Sequence, residues 1–165
     1  MPISYLLTLE QLSVLAHFSG INAFAGLPEL PAINRERCDQ LLPGLSEHGM
    51  LQLHGNEAAV DLALGFILSV MAKPGLVLQT PAGALGYCTR ELGVEVSADT
   101  RAPGKYRVTP LPTARELADR LWGEHPGSQH VEFSIRRKGQ PWEKKQMTGP
   151  ELEAEISQIY TEVAE

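Results

Sequence analysis

Hydrophobic positions along the chain keep a helical period up to Pro74 and, over much of the remainder, a period of two. Thr8 stands three residues before Gln11 and reads as a capping box, opening a helix whose apolar stripe is Leu9, Leu12, Leu15 and Ala16. Gly20 ends it, and Gly26-Leu27-Pro28-Glu29-Leu30-Pro31 is an extended connector, because each proline disfavours helix in the residue before it. Asn34 caps a second helix bearing Cys38, Leu41, Leu42 and Leu45, which Pro43-Gly44 is expected to kink or split. Gly49 stops it, and Met50-Leu51-Gln52-Leu53 is a short strand. His54-Gly55-Asn56 turns into a third helix expected over residues 57–72. Its apolar residues (Val60, Leu62, Leu64, Phe66, Ile67, Leu68, Val70, Met71) go almost all the way round, so it is buried on most sides, in its own core or in an oligomer.

Beyond Pro74 the alternation predicts strands at 76–79, 85–89, 94–97 and 106–109, with turns at Glu91-Leu92-Gly93 and Ala102-Pro103-Gly104. Thr113 with Glu116 is a second capping box, opening a helix to Trp122. Val131 to Arg136 alternates, turns at Lys138-Gly139-Gln140 and returns through residues 142–146 as a hairpin. Thr148 with Glu151 opens a final helix with Pro150 in its first turn, carrying Leu152, Ile156, Ile159, Tyr160 and Val163 on one face. These elements predict one α+β domain over residues 1–165. It combines a helical block (1–74) with a central antiparallel sheet of four to six strands and two helices (75–165).

Charge sharpens this division. The net charge of -6 is spread as -4 over residues 1–74, +3 over 75–147 and -5 over 148–165, so the positive surface lies mid-chain between acidic segments. The overall acidity argues against a general nucleic-acid binder. Met1-Pro2-Ile3-Ser4 has no basic start, and the longest apolar stretch, Val60 to Met71, is shorter than the roughly 20 residues a membrane span needs. Cys38 and Cys88 stand far apart without metal or redox spacing. The chain is therefore expected in the cytoplasm, without a membrane span.

Motifs for catalysis are missing. His17, His48, His54, His125 and His130 are scattered, with neither the one-turn spacing of a helical zinc site nor a Cys-x-x-Cys. There is no Gly-x-Ser-x-Gly elbow, Cys88 sits inside an alternating strand as a small buried hydrophobe, and Gly83-Ala84-Leu85-Gly86 lacks the lysine of a P-loop. No catalytic residue, metal ligand or cofactor is expected. The sharpest feature is the basic hairpin. Arg136, Arg137 and Lys138 face Lys144 and Lys145 across the turn, with Trp142 between them. These six are the candidate partner-binding residues, with Trp142 partly exposed and Trp122 a core anchor. The competing readings are a solvated edge hairpin whose lysines discourage aggregation, and a winged-helix wing reaching DNA phosphates. The late position of the hairpin and the mixed charge of residues 35–40 count against the wing.

The order of segments carries a family resemblance. Helices joined by Gly26-Leu27-Pro28 lead to Leu45-Ser46-Glu47-His48-Gly49-Met50-Leu51 and an apolar helix ending at Lys73-Pro74. Strands come next through Tyr87, Val94-Glu95-Val96 and Tyr106-Arg107-Val108-Thr109-Pro110-Leu111, then a helix from Ala114 to Trp122. Over residues 5–124 this resembles the EspG-like cytosolic chaperones of type VII (ESX) secretion and their short Firmicutes relatives. The resemblance implies an α+β fold and a role in holding helical secretion substrates soluble. The chain is much shorter than the mycobacterial chaperones, which look duplicated, so it corresponds to half of one or to one member of a homodimer. None of the family's substrate-contacting residues carries over. The expected function is thus that of a non-enzymatic, chaperone-like or adaptor protein binding a partner protein. The alternatives are a winged-helix-like DNA-binding regulator, and a small-ligand binder or enzyme with a cleft near His54 or Tyr87.

Overall fold

The computed structural model describes residues 3–55 and 57–160. In chain order the elements are β1 (Tyr5–Thr8), α1 (Leu9–Phe18), α2 (Arg35–Glu47), β2 (Leu51–His54), β3 (Glu57–Val60), α3 (Leu62–Ala72), β4 (Leu76–Gln79), β5 (Leu85–Cys88), β6 (Gly93–Ala98), β7 (Lys105–Leu111), α4 (Ala114–Trp122), β8 (Val131–Arg137), β9 (Glu143–Met147) and α5 (Gly149–Tyr160). Seven strands form one antiparallel sheet in the order β1-β7-β6-β5-β4-β8-β9, and β2 pairs with β3 in a separate hairpin. The fold is α+β, as the alternating pattern predicts.

Both faces of the sheet are buried over its centre. Side chains alternate across a strand, so Val77, Leu85, Tyr87, Val94, Val96 and Val108 enter one core with α1, α3, Leu45 and Leu51. Leu76, Leu78, Cys88 and Leu111 enter a second core with α4 and α5. That is why β4 and β5 read as continuous apolar runs. The outer strands β8 and β9 differ. Val131, Phe133, Ile135 and Met147 face the α4–α5 core, whereas Glu132, Arg136, Lys144 and Gln146 on the opposite face are exposed.

Two of the three predicted capping boxes form in full, and the one at Thr113 and Glu116 forms only its Thr113 half. Thr8 and Gln11 bond reciprocally (3.1 and 2.9 Å), as do Thr148 and Glu151, and Asn34 and Thr113 each accept an amide of their helix's first turn. Trp122 is in the core, stacked on Phe133, its indole N–H donating to the His125 carbonyl.

Three expectations change. The sheet has seven strands rather than four to six, because Tyr5–Thr8 adds β1 beside β7 ahead of the first capping box. The third helix begins at Leu62 rather than 57, because Asp61 caps it through the Leu64 amide and Glu57–Val60 pair with β2. Of the kink or split expected at Pro43-Gly44, the split does not occur: the second helix runs unbroken from Arg35 to Glu47. The carbonyl that Pro43 cannot bond belongs to Asp39, an exposed residue whose backbone water can serve. Met1, Pro2, Asn56 and Val163 lie outside the described residues.

Gly93 marks the tightest join between sheet and helices. A Cβ there would lie 2.1 Å from the Tyr160 hydroxyl, 2.9 Å from Leu117 Cδ2 and 3.3 Å from the Leu111 carbonyl, to which that hydroxyl donates. Gly93→Ala is therefore expected to lower unfolding free energy by about 1–3 kcal/mol through overpacking, measured by urea denaturation. Unchanged stability would mean that α5 has room to move off the sheet.

Candidate functional site

The basic hairpin is held by backbone before any side chain acts. The amide of Gln140 donates to the Arg137 carbonyl (2.9 Å) to close the turn, with Gly139 at the positive φ of 77° that its position requires. The amide of Lys138 donates to the carbonyl of Gly75 (3.1 Å), tying the turn to the start of β4. The cations are thus carried on a sheet edge continuous with the core.

Alternation then sorts them onto two faces. Arg137 and Lys145 lie on the α5 side, where both donate to the carboxylate of Glu155, whose side chain is only 14% exposed. Lys144 points to the opposite face and approaches Glu132 at 3.9 Å. Arg136 also lies on that face and donates through Nε to the Gln140 carbonyl (3.3 Å). Trp142 lies just outside the paired residues of the hairpin, whose last pair is Ile135 and Glu143, and is 38% exposed. The six candidate residues are therefore not one patch. Arg137 and Lys145 brace α5, while Arg136, Lys138, Lys144 and Trp142 belong to the outer face and turn.

On the outer face, where α3 ends against β4 and β8, is a hollow of about 280 Å³. Ala25, Ala72, Pro74 and Val77 line its apolar part, and Lys73, Arg136 and Lys138 supply charge. No acidic residue lines it, and among the described residues none of these three cations forms an ion pair. Lys73 is the residue the sequence does not reveal here. It caps the C-terminus of α3, and only the three-dimensional packing sets it beside residues 63 and 65 positions later.

A larger groove, about 750 Å³, runs between α1, the connector and the start of α2, with Val14, His17, Phe18, Leu30, Ile33 and Cys38 among its lining. Ser13 fixes one wall by donating to the Pro31 carbonyl (2.7 Å). A third apolar feature is the outer stripe of α3, where Leu62 is 92% exposed and Ala63 and Phe66 are also exposed.

Groups that could do covalent chemistry are muted. Burial pushes the Cys88 thiol up to about 12 and raises Cys38 as well, so both are protonated and poorly nucleophilic near neutral pH. Tyr87 is fully buried, its hydroxyl donating to the Ala25 carbonyl, and burial raises it above its ordinary range. His54 is exposed on the separate β2–β3 hairpin. Among the described residues no three His, Cys, Asp or Glu side chains are grouped to hold a metal ion, and no helix is long and apolar enough to cross a membrane. No protein-family model matches the chain, and no curated protein matches its sequence.

The two faces of the hairpin make different demands on stability. Glu155→Gln is expected to cost about 1 kcal/mol, since Arg137 and Lys145 are themselves partly solvated. Lys138→Gln should stay within about 0.5 kcal/mol of the parent. Urea unfolding of both variants measures this, and an equal cost would contradict the division of the hairpin into bracing and outward cations.

Proposed function

We propose that this chain is a non-enzymatic, chaperone-like or adaptor protein that binds a partner protein in the cytoplasm through the outer face of the β8–β9 hairpin. The observation that carries the reading is a tryptophan 38% exposed on the same braced hairpin as two cations without ion pairs, Arg136 and Lys138, with a third, Lys73, brought beside those two by the end of α3. A large aromatic in a rigid frame is the usual anchor of a protein contact, and surrounding charge selects the partner and speeds encounter. Because Glu155 occupies Arg137 and Lys145 on the far side, the outward residues are presented without reorganisation, which lowers the cost of binding.

The order of segments shared with EspG-like chaperones supports a place in type VII secretion, with a small helical secretion substrate as the partner. The mechanism is reversible burial of apolar surface, with charge fixing orientation. A DNA-binding role has less in its favour. The hairpin is built into the seven-stranded sheet, and Arg37 on α2 is held by Glu10 (2.8 Å). Homodimerisation is a second reading, favoured by the uncharged Leu62–Ala63–Phe66 stripe on a chain whose like net charge otherwise opposes self-association.

The test is retention of partners from an extract of the native host, compared between the parent and Trp142→Ala, with mass-spectrometric identification. A small helical protein retained by the parent and reduced at least tenfold by Trp142→Ala is the expected result. Retention of nucleic acid, or of the same proteins by both forms, would overturn the adaptor reading at this surface. Sedimentation separates the dimer reading, which expects a dimer that Leu62→Glu returns to monomer. A parent that sediments as a monomer would contradict it.

A further inference from the structure

The hollow beside the hairpin turn has a chemical preference of its own. At about 280 Å³ it falls just below the roughly 300–1,000 Å³ of sites that enclose small organic ligands. It suits one or two side chains reaching in from a larger partner. Its charged residues are Lys73, Arg136, Lys138 and Arg137, and Arg137 is already committed to Glu155. The other three face a space whose apolar lining includes Val77, itself only 2% exposed. All three cations are exposed to water, and their attractions for a single anion set among them add. The carbonyl end of α3 opposes an anion here, and Lys73, the residue that caps it, supplies the compensating charge.

We propose that this hollow receives a carboxylate side chain from an acidic segment of the partner protein, with a neighbouring apolar side chain of that segment against Trp142. The assignment rests on the adaptor reading and names the chemistry of its partner. A peptide segment fits better than a nucleic acid. The cations converge on one small space instead of tracking a backbone, and Glu132 on the same face of the hairpin would repel a continuous line of phosphates. Aspartate or glutamate beside leucine or phenylalanine matches both the charge and the apolar lining.

Fluorescence polarisation on the full chain tests this, using a dye-labelled ten-residue peptide of alternating glutamate and leucine, and the same peptide with glutamine for glutamate. The glutamate peptide is expected to bind at least tenfold tighter at near-physiological salt. The triple variant Lys73→Gln/Arg136→Gln/Lys138→Gln should abolish that difference, while Lys105→Gln, exposed at the start of β7 with three strands between it and the hairpin, should keep it within twofold. Urea midpoints close to the parent's would show that the triple variant is folded. Failure of the glutamate peptide to bind, equal binding of the two peptides, or an unaltered triple variant would overturn the proposal. Displacement of the glutamate peptide by inorganic phosphate at equal concentration would also overturn it, in favour of a simple anion site. Separately, if a partner is retained in a Trp142-dependent manner but the triple variant holds it as the parent does, the hollow is wrong and the adaptor reading stands. If Trp142→Ala leaves retention unchanged, the adaptor reading itself fails.

Discussion

The fold depends on burying both faces of the central strands. Strands β4 to β7 carry apolar side chains to two opposite cores, one with α1 and α3 and the other with α4 and α5. Neither helical layer is stable without the sheet to pack on, and the sheet needs both to remove its apolar faces from water. Close approach is part of the arrangement. Gly93 lets Tyr160 reach the Leu111 carbonyl, and at Gly86 a Cβ would stand 2.5 Å from a methyl of Leu121.

From that constraint comes the asymmetry at the sheet edge. The helices of the first layer stop short of β8 and β9, so these strands are covered on one face only. The covered face recruits Phe133, Ile135 and Met147, and beside them Glu155 gathers Arg137 and Lys145. The open face is left with Glu132, Arg136, Lys144 and Gln146. The same alternation that builds the core therefore decides which basic residues are structural and which face outward. The end of α3 completes the outward set with Lys73.

Much of this is legible in the sequence, for physical reasons that differ between elements. Capping boxes at Thr8 and Thr148 are local and survive into the structure unchanged, as do the apolar strand around Val77 and the alternating strands around Val94 and Ile135. Periodicity misplaces the start of α3 because Val60 continues the apolar run, while the capping oxygen of Asp61 and the pairing of Glu57–Val60 with β2 outweigh it. β1 escapes a reading by pattern because four residues before a helix cap are too few to show a period. Composition finds the candidate residues, but their division between two faces depends on register, and the meeting of residues 25, 73 and 136 depends on tertiary packing alone. No local signal joins Lys73 to the hairpin.

The central claim is that the hairpin has a bracing face and a binding face. Lysine acylation of the native protein, read residue by residue by mass spectrometry with and without its captured partner, tests it most directly. The account predicts that Lys145, held by Glu155, reacts slowly in both states. Lys73 and Lys138 should react quickly in the free protein and become protected when the partner is bound. Equal reactivity of Lys145 and Lys138 in the free chain, or no protection of Lys73 and Lys138 in the complex, would contradict it.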